Sequence, residues 1–215
     1  NAFDAAFEKA GVLRAETAEQ MFDWARALER YPCGFEHALS TTNARIGILT
    51  NAGGPGVIAA DSLEHHGLVL ARLNESTLEV LSAILPSAAN IHNPVDMLAS
   101  ASPEQYAACL NTLLQDEDVD AVMVILPPPP MFKAEEVAKA VNEVIGRFEK
   151  PVVIALLGST LIENARNEFR EMGVPTYPFP ERAASALAAL VKRAKYITDD
   201  GRQTPDDGFI VDGPR

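Results

Sequence analysis

Six residues, Asn51-Ala52-Gly53-Gly54-Pro55-Gly56, stand between an apolar run and a helix-like run. Ile46-Gly47-Ile48-Leu49-Thr50 reads as a short buried strand, and Val57-Ile58-Ala59-Ala60-Asp61-Ser62-Leu63-Glu64 as a helix packed on a sheet. A glycine turn from strand into helix leaves backbone N–H groups unpaired and backed by the positive end of the helix dipole, which suits phosphate or carboxylate. The same glycines also suit a tight βα turn that binds nothing. Pro55 fits the first helical position, where its missing N–H costs nothing. No Gly-Lys-Ser/Thr follows, G-x-G-x-x-G is not met, and the turn holds no lysine or arginine. A single phosphoryl group therefore fits better than a nucleoside triphosphate. The expected cradle is Asn51, Ala52, Gly53, Gly54, Gly56 and Val57.

A second constellation is Asn93-Pro94-Val95-Asp96. Pro94 restricts Asn93, and Asp96 is placed to bond loop amides. Pro127-Pro128-Pro129-Pro130 donates no hydrogen bonds and is read as an extended, rigid wall. Gly158-Ser159-Thr160 is read as a cap for the helix after it. Trp24 is read as packing, and Asp61 and Glu64 as a solvated helix face. His65 and His66 fall late in a helix, as surface or C-terminal residues, while His92 is a neighbour of the Asn-Pro-Val-Asp loop. Cys33 and Cys109 lack metal-ligand spacing and read as buried or semi-buried thiols of a reducing compartment. No metal site is expected.

The elements that position these residues alternate regularly. Arg45–Thr50 is the first strand and Pro55–His66 the first helix, ended by Gly67. Leu68–Leu73 is a second strand. Asn74 caps a helix carrying Leu78, Leu81, Ile84 and Leu85, and the Asn93 loop leads to a helix opened by Ser102-Pro103-Glu104-Gln105, a capping-box signature. Asp120–Leu126 is the third strand, followed by a stripe of Val137, Val141, Val144, Ile145 and Phe148. Pro151–Leu157 is the fourth strand, with Leu161, Ala165 and Phe169 on the next helix. Gly173 stops that helix, Val174–Tyr177 is a fifth strand, and an alanine-rich helix runs to about Lys195. Apolar strands alternating with amphipathic helices mean a parallel sheet covered on both faces. The expected class is α/β: a flavodoxin-like three-layer α/β/α fold with a five-stranded parallel sheet in the order 2-1-3-4-5. Its crevice opens where strands one and three diverge, and the glycine turn leaves the first strand there.

Residues 1–30 read as two helical pieces, with Thr17 and Gln20 as a capping box and Met21, Phe22, Ala25 and Leu28 on one face. Gly11–Ala15 between them is read as an edge strand of a neighbouring domain. Residues 31–43 read as a linker, polar apart from Phe35 and Leu39, residues 44–195 as the α/β domain, and residues 196–215 as an acidic tail or linker. The chain has 215 residues and 30 Asp and Glu against 18 Lys and Arg, a net charge of −12. That balance argues against nucleic-acid or anionic-membrane surfaces. No stretch approaches the roughly 20 apolar residues of a membrane helix, and no signal-peptide pattern is present. Asn1 stands inside a helix-like pattern (Ala2, Phe3, Ala6, Phe7), so a piece of a longer, cytoplasmic protein is expected.

Thr50-Asn51-Ala52-Gly53-Gly54-Pro55-Gly56, Asn93-Pro94-Val95-Asp96, the Asp118–Leu126 strand entry and Gly173-Val174-Pro175 resemble the NDP-forming acyl-CoA synthetases. These include the ADP-forming acetate–CoA ligases and are related to succinyl-CoA synthetase. Residues 1 to about 195 carry the likeness. Residues 44–195 are similar to the second ligase-like flavodoxin domain of that family, and residues 1–30 to the end of the first. The resemblance implies the reaction acid + CoA + ATP = acyl-CoA + ADP + phosphate, relayed through a phosphohistidine to an ATP-grasp domain. It implies that Asn51–Gly56 supplies one of two helix N-termini cradling the phosphoryl group, and that Asn93, Pro94 and Asp96 form a substrate-side loop. The family's histidine lies in a Ser-His-Thr-Gly-like segment upstream of residues resembling Asn1–Val12. None of His37, His65, His66 and His92 has that context, so no catalytic residue is expected in this chain, which should be inert alone. CoA, ATP/ADP and Mg belong to the full-length enzyme. The implied partners are CoA-binding, first ligase-like and ATP-grasp domains or subunits, a small carboxylic acid, and an oligomer. The alternative is a non-catalytic ligase-like regulatory module, as in a protein acetyltransferase.

Overall fold

A computed structural model describes residues 2–33, 44–158 and 160–202. Five strands form a parallel sheet in the order β2-β1-β4-β5-β6: β1 (Arg45–Thr50), β2 (Val69–Leu70), β4 (Ala121–Leu126), β5 (Val152–Leu156) and β6 (Thr176–Tyr177). This is the expected order 2-1-3-4-5. A sixth short strand, β3 (Val95–Asp96), lies where a loop was expected and pairs with the end of β1, Leu49 with Val95 and Thr50 with Asp96. The second strand is correspondingly shorter than Leu68–Leu73, pairing only Arg45 and Ile46 with Val69 and Leu70.

Side-chain alternation along the strands divides the core in two. Ile46, Ile48, Met123, Ile125, Val153 and Ala155 face α3 (Gly53–His65) and α8 (Pro180–Arg202). Leu49, Val122, Val124, Leu126, Val152 and Ile154 face α4 (Glu75–Ile84), α5 (Pro103–Gln115), α6 (Ala134–Ile145) and α7 (Glu163–Glu171). The helix after β1 and the helix after β4 thus cover opposite faces, which places the crevice between these two strands.

Local signals hold at several helix ends. Ser102 and Gln105 form the full capping box of α5. Gly173 takes φ +66 after α7, and Gly67 takes φ +72 after α3. Others differ. Asn74 sits at the N-cap of α4, but its side chain bonds Asp116 instead of the helix. A 3-10 turn, Thr160–Ile162, precedes α7, whose N-cap is Ile162 rather than Thr160; Ser159 lies outside the described residues. Leu161 is exposed, and its neighbour Ile162 is buried in its place. The last helix continues past Lys195 to Arg202, and the rest of the tail, 203–215, lies outside the described residues.

The N-terminal part comprises α1 (Ala2–Lys9) and α2 (Ala18–Arg30), and residues 12–15 between them belong to no strand of this sheet. Thr17 caps α2 through the Gln20 N–H, while the Gln20 side chain accepts from Glu16 N–H, so the box closes one residue early. Met21, Phe22 and Ala25 are exposed; the buried face is Asp23 and Ala27, flanked by Trp24, Leu28 and Tyr31. Asp23 can be buried because Arg182 of α8 binds both its oxygens, at 2.5 and 2.7 Å. Trp24 packs here as expected and donates Nε1–H to Ser185 Oγ at 3.0 Å. Tyr31 is part of the fold rather than linker: its hydroxyl accepts Val152 N–H at 3.0 Å and donates to Val152 C=O at 3.2 Å. Phe35, His37 and Leu39 lie outside the described residues. Among the described residues no helix is long and apolar enough to cross a membrane.

Candidate functional site

The glycine turn and the Asn-Pro-Val-Asp segment meet at the carboxyl end of β1. Helix α3 begins earlier than Pro55, with Ala52 as N-cap and Gly53 as first residue, so Pro55 is the third. It still falls in the first turn, where its lack of an N–H breaks no helical bond. The Thr50 hydroxyl accepts Ala52 N–H and donates to Ala52 C=O, both at 3.1 Å, and Gly56 N–H reaches Ala52 C=O at 3.4 Å. The N–H groups of Gly53 and Gly54 have no hydrogen-bond partner among the described residues. Two open donors at the N-terminus of a 13-residue helix remain from the six residues expected to form the cradle.

The other four have separate places. Ala52 N–H is taken by Thr50. Asn51 is buried, 4% exposed, with no partner for its Oδ1. Gly56 is buried because its Cα lies against its neighbours: a Cβ there would stand 3.3 Å from Thr50 Cγ2 and 3.6 Å from Pro94 Cβ. Val57 presents an exposed apolar side chain one turn into the helix. A Cβ on Gly54 would meet nothing within 4 Å, so the space beside this residue is open.

Asn93, Pro94 and Asp96 divide into support and site. Asn93 fills the gap between β2 and β3 as a surrogate strand: its Oδ1 accepts Ile48 N–H at 2.9 Å, and Nδ2 donates to Ile46 C=O at 2.8 Å and Ala71 C=O at 3.0 Å. That side chain is committed to the sheet. Pro94 buttresses Gly56, and Asp96 stands beside Gly53, where a Cβ would lie 3.2 Å from Oδ2. Asp96 Oδ1 accepts Leu98 N–H at 3.0 Å and holds Leu98 at φ +69, a backbone region costly for leucine. Met97 N–H donates to Thr50 C=O at 2.8 Å and ties the segment to β1. These long-range pairings have no signal in local sequence; only the order of the two motifs hinted at them.

The proline run borders the same end of the sheet. Gly158, after β5, adopts φ +101 with Pro128 Cγ 3.2 Å from where its Cβ would be, so the run is braced against the next loop. The histidines stay apart. His65 and His66 lie on the surface at the end of α3, and partial desolvation lowers the His66 pKa below the ordinary value, with His65 adding to the shift. His92 is exposed, and its N–H donates to Asn90 Oδ1 at 3.3 Å. Cys109 is buried, which pushes its thiol up to about 12, while Cys33 is exposed, contrary to the expectation of burial. Among the described residues no group of three or more His, Cys, Asp and Glu could hold a metal ion.

Comparison with known proteins matches residues 46–200 to the Ligase-CoA domain family. The alpha subunit of acetate–CoA ligase [ADP-forming] II from Pyrococcus furiosus is 41% identical over 201 residues, covering 91% of this chain and 42% of that subunit. Acetate–CoA ligase [ADP-forming] I from Archaeoglobus fulgidus is 35% identical over 194 residues, covering 90% of this chain and 26% of that protein. Among solved structures, PH0766 from Pyrococcus horikoshii OT3 superposes with a TM-score of 0.82 at 38% identity, covering 91% of this chain and 44% of that one. An acetyl-coenzyme A synthetase 1 from Ca. Korarchaeum cryptofilum, solved with phosphate and ADP, superposes with a TM-score of 0.82 at 29% identity, covering 93% and 42%. The chain thus spans less than half the length of these relatives. With its parallel sheet, its glycine turn and a match over most of its length, the chain belongs to the Ligase-CoA domain family, whose relatives here include ADP-forming acetate–CoA ligases.

Proposed function

We propose that this chain is the phosphoryl-cradling ligase-like domain of an ADP-forming acid–CoA ligase. The observation that carries the reading is the pair of open N–H donors, Gly53 and Gly54, at the start of a long helix and at the sheet's switch point. These donors and the helix dipole hold the oxygens of one phosphoryl group and stabilise its charge without a cation. That group is carried by a histidine of a neighbouring domain, during the conversion of acid, CoA and ATP to acyl-CoA, ADP and phosphate. Asp96, beside Gly53, accepts a hydrogen bond from the incoming imidazole and sets its ring orientation. Pro94 and Asn93 keep Asp96 in register. CoA and the Mg–nucleotide bind to the CoA-binding and ATP-grasp parts of the full-length, oligomeric, cytoplasmic enzyme, and the isolated chain is inactive.

The test uses the full-length protein with CoA, Mg-ATP and a panel of short carboxylic acids. Turnover should be accompanied by an acid-labile phosphoprotein, and Gly54→Asp should abolish both while leaving the fold intact, because its carboxylate occupies the open side of the cradle. Turnover without any phosphoprotein would remove the relay, and unchanged kinetics in Gly54→Asp would remove the cradle.

A further inference from the structure

The outer edge of the sheet carries a second concentration of anion-binding chemistry. A cleft of about 540 Å³ runs along β6 and is lined by Arg26 of α2, Arg166 and Arg170 of α7, and Arg182 of α8, with Glu29 the one acidic side chain on its wall. Four guanidinium groups gather here in a chain of net charge −12. Two of them are neutralised. Arg182 binds Asp23 and, through Nη1, Glu19 at 2.5 Å; Arg166 pairs with Glu163 at 3.0 Å. Arg26 reaches the already engaged Asp23 only at 3.5 Å, and Arg170 has no side-chain partner among the described residues. These two therefore face the cleft from opposite layers of the fold, against Glu29 on the wall and the Asp23 carboxylate that Arg182 already holds.

The strand at the floor adds a backbone donor. Ile154 N–H donates to Pro175 C=O at 3.0 Å with Ile154 in register with Thr176. Parallel pairing then turns the N–H and C=O of Thr176 away from β5, toward the open edge. Pro178, two residues on and so on the same side as Thr176, has no N–H, which hinders this edge from accepting another strand. A cleft of this volume with a hindered edge suits a small molecule better than an extended peptide. Guanidinium groups favour oxyanions that accept two hydrogen bonds at once.

We propose that the β6 cleft is a second anion site, in which Arg26, Arg170 and the Thr176 N–H bind a phosphate group, free or borne on a nucleotide. Strands β4 and β5 separate it from the glycine turn by three inter-strand spacings, about 14 Å. It binds independently of that turn and does not rest on the proposed relay.

The experiment is an amide NMR titration of the chain with inorganic phosphate and, separately, with ADP, at constant ionic strength. The Thr176 amide should shift saturably with at least one of the two, and the tighter of them identifies the source of the phosphate. Replacing Arg26→Ala together with Arg170→Ala should weaken binding by about tenfold or more. Glu29→Gln, which removes no cation, should tighten it, and Gly54→Asp should leave it unchanged. A Thr176 amide unmoved by both ligands, an affinity unaltered in the double variant, or loss of the Thr176 shift in Gly54→Asp would each overturn the assignment.

Discussion

Gly53 faces Asp96 at the carboxyl end of β1: a Cβ on Gly53 would stand 3.2 Å from Asp96 Oδ2. A fixed carboxylate thus sits against the first residue of α3, where it is favoured by the positive end of the helix. Its other oxygen is tied to Leu98 N–H, so it cannot swing away freely. Any second anion must share this helix end with Asp96. The open direction is over Gly54, where an added Cβ would touch nothing within 4 Å.

The two glycines should therefore respond oppositely to alanine. Gly54→Ala adds a methyl into open space in the first helical turn and should stabilise the fold by about 0.4–1 kcal/mol, through a smaller unfolded-state entropy and better helix propensity. Gly53→Ala must displace a carboxylate that Leu98 holds, and should show no gain or a loss. Urea unfolding of both variants checks this. Equal gains would mean that Asp96 moves aside without cost.

Asn93 makes its contribution to the sheet rather than to a ligand. Asn93→Ala would leave Ile48 N–H and Ala71 C=O without that partner where β1 passes from β2 to β3, and would remove the second bond of Ile46 C=O, which keeps Ala71 N–H at 3.0 Å. Groups left unpaired in a partly buried place cost about 1–3 kcal/mol each at most, so a loss of about 2–4 kcal/mol is expected. Asn93→Asp keeps an acceptor for Ile48 but sets a carboxylate against two carbonyls, and should be at least as damaging at neutral pH. Denaturation midpoints at equal m-value decide it. A loss below about 0.5 kcal/mol in both would show that water replaces the amide.

What the sequence disclosed and what it concealed follow from range. β4, buried along its whole length, reads as an unbroken apolar run, and α5 announces its start through Ser102 and Gln105, because both signals are local. The strand order followed from the alternation of such elements. Strand β3 has two residues and no pattern; it exists because Asn93 and Met97 are tied to β1, more than forty residues earlier. The buried face of α2 departs from its apolar stripe because its central buried residue is Asp23, made tolerable by Arg182, 159 residues away. Tyr31 carries no local sign of its place for the same reason: its hydroxyl completes the edge of β5 at Val152, where β6 has not yet begun. At the site, the turn itself was legible. Which N–H groups stay open was not, since that depended on the Thr50 side chain taking the Ala52 donor.

Asp116 gives the fold a measurable dependence on acid. It is 4% exposed and binds Asn74 N–H at 2.9 Å, Asn74 Nδ2 at 2.7 Å and Asp118 N–H at 2.8 Å, joining α4 to the turn before β4. Burial pushes its carboxyl upward, but hydrogen bonds from Asn74, Thr77 and Asp118, with the Lys150 charge, outweigh that and hold it below its ordinary value. A carboxyl depressed in the folded state contributes stability that is complete above the unfolded value, about 3.9, and lost as pH falls through the lower folded value. Asp116→Asn should therefore destabilise the chain by a near-constant amount between about pH 7 and pH 5, and by progressively less below about pH 4. Urea unfolding of both proteins across that range measures the difference. A gap that stays constant down to about pH 3 would mean that the ionised carboxylate is not what Asn74 and Asp118 recognise, and that the side chain acts there only as a neutral acceptor.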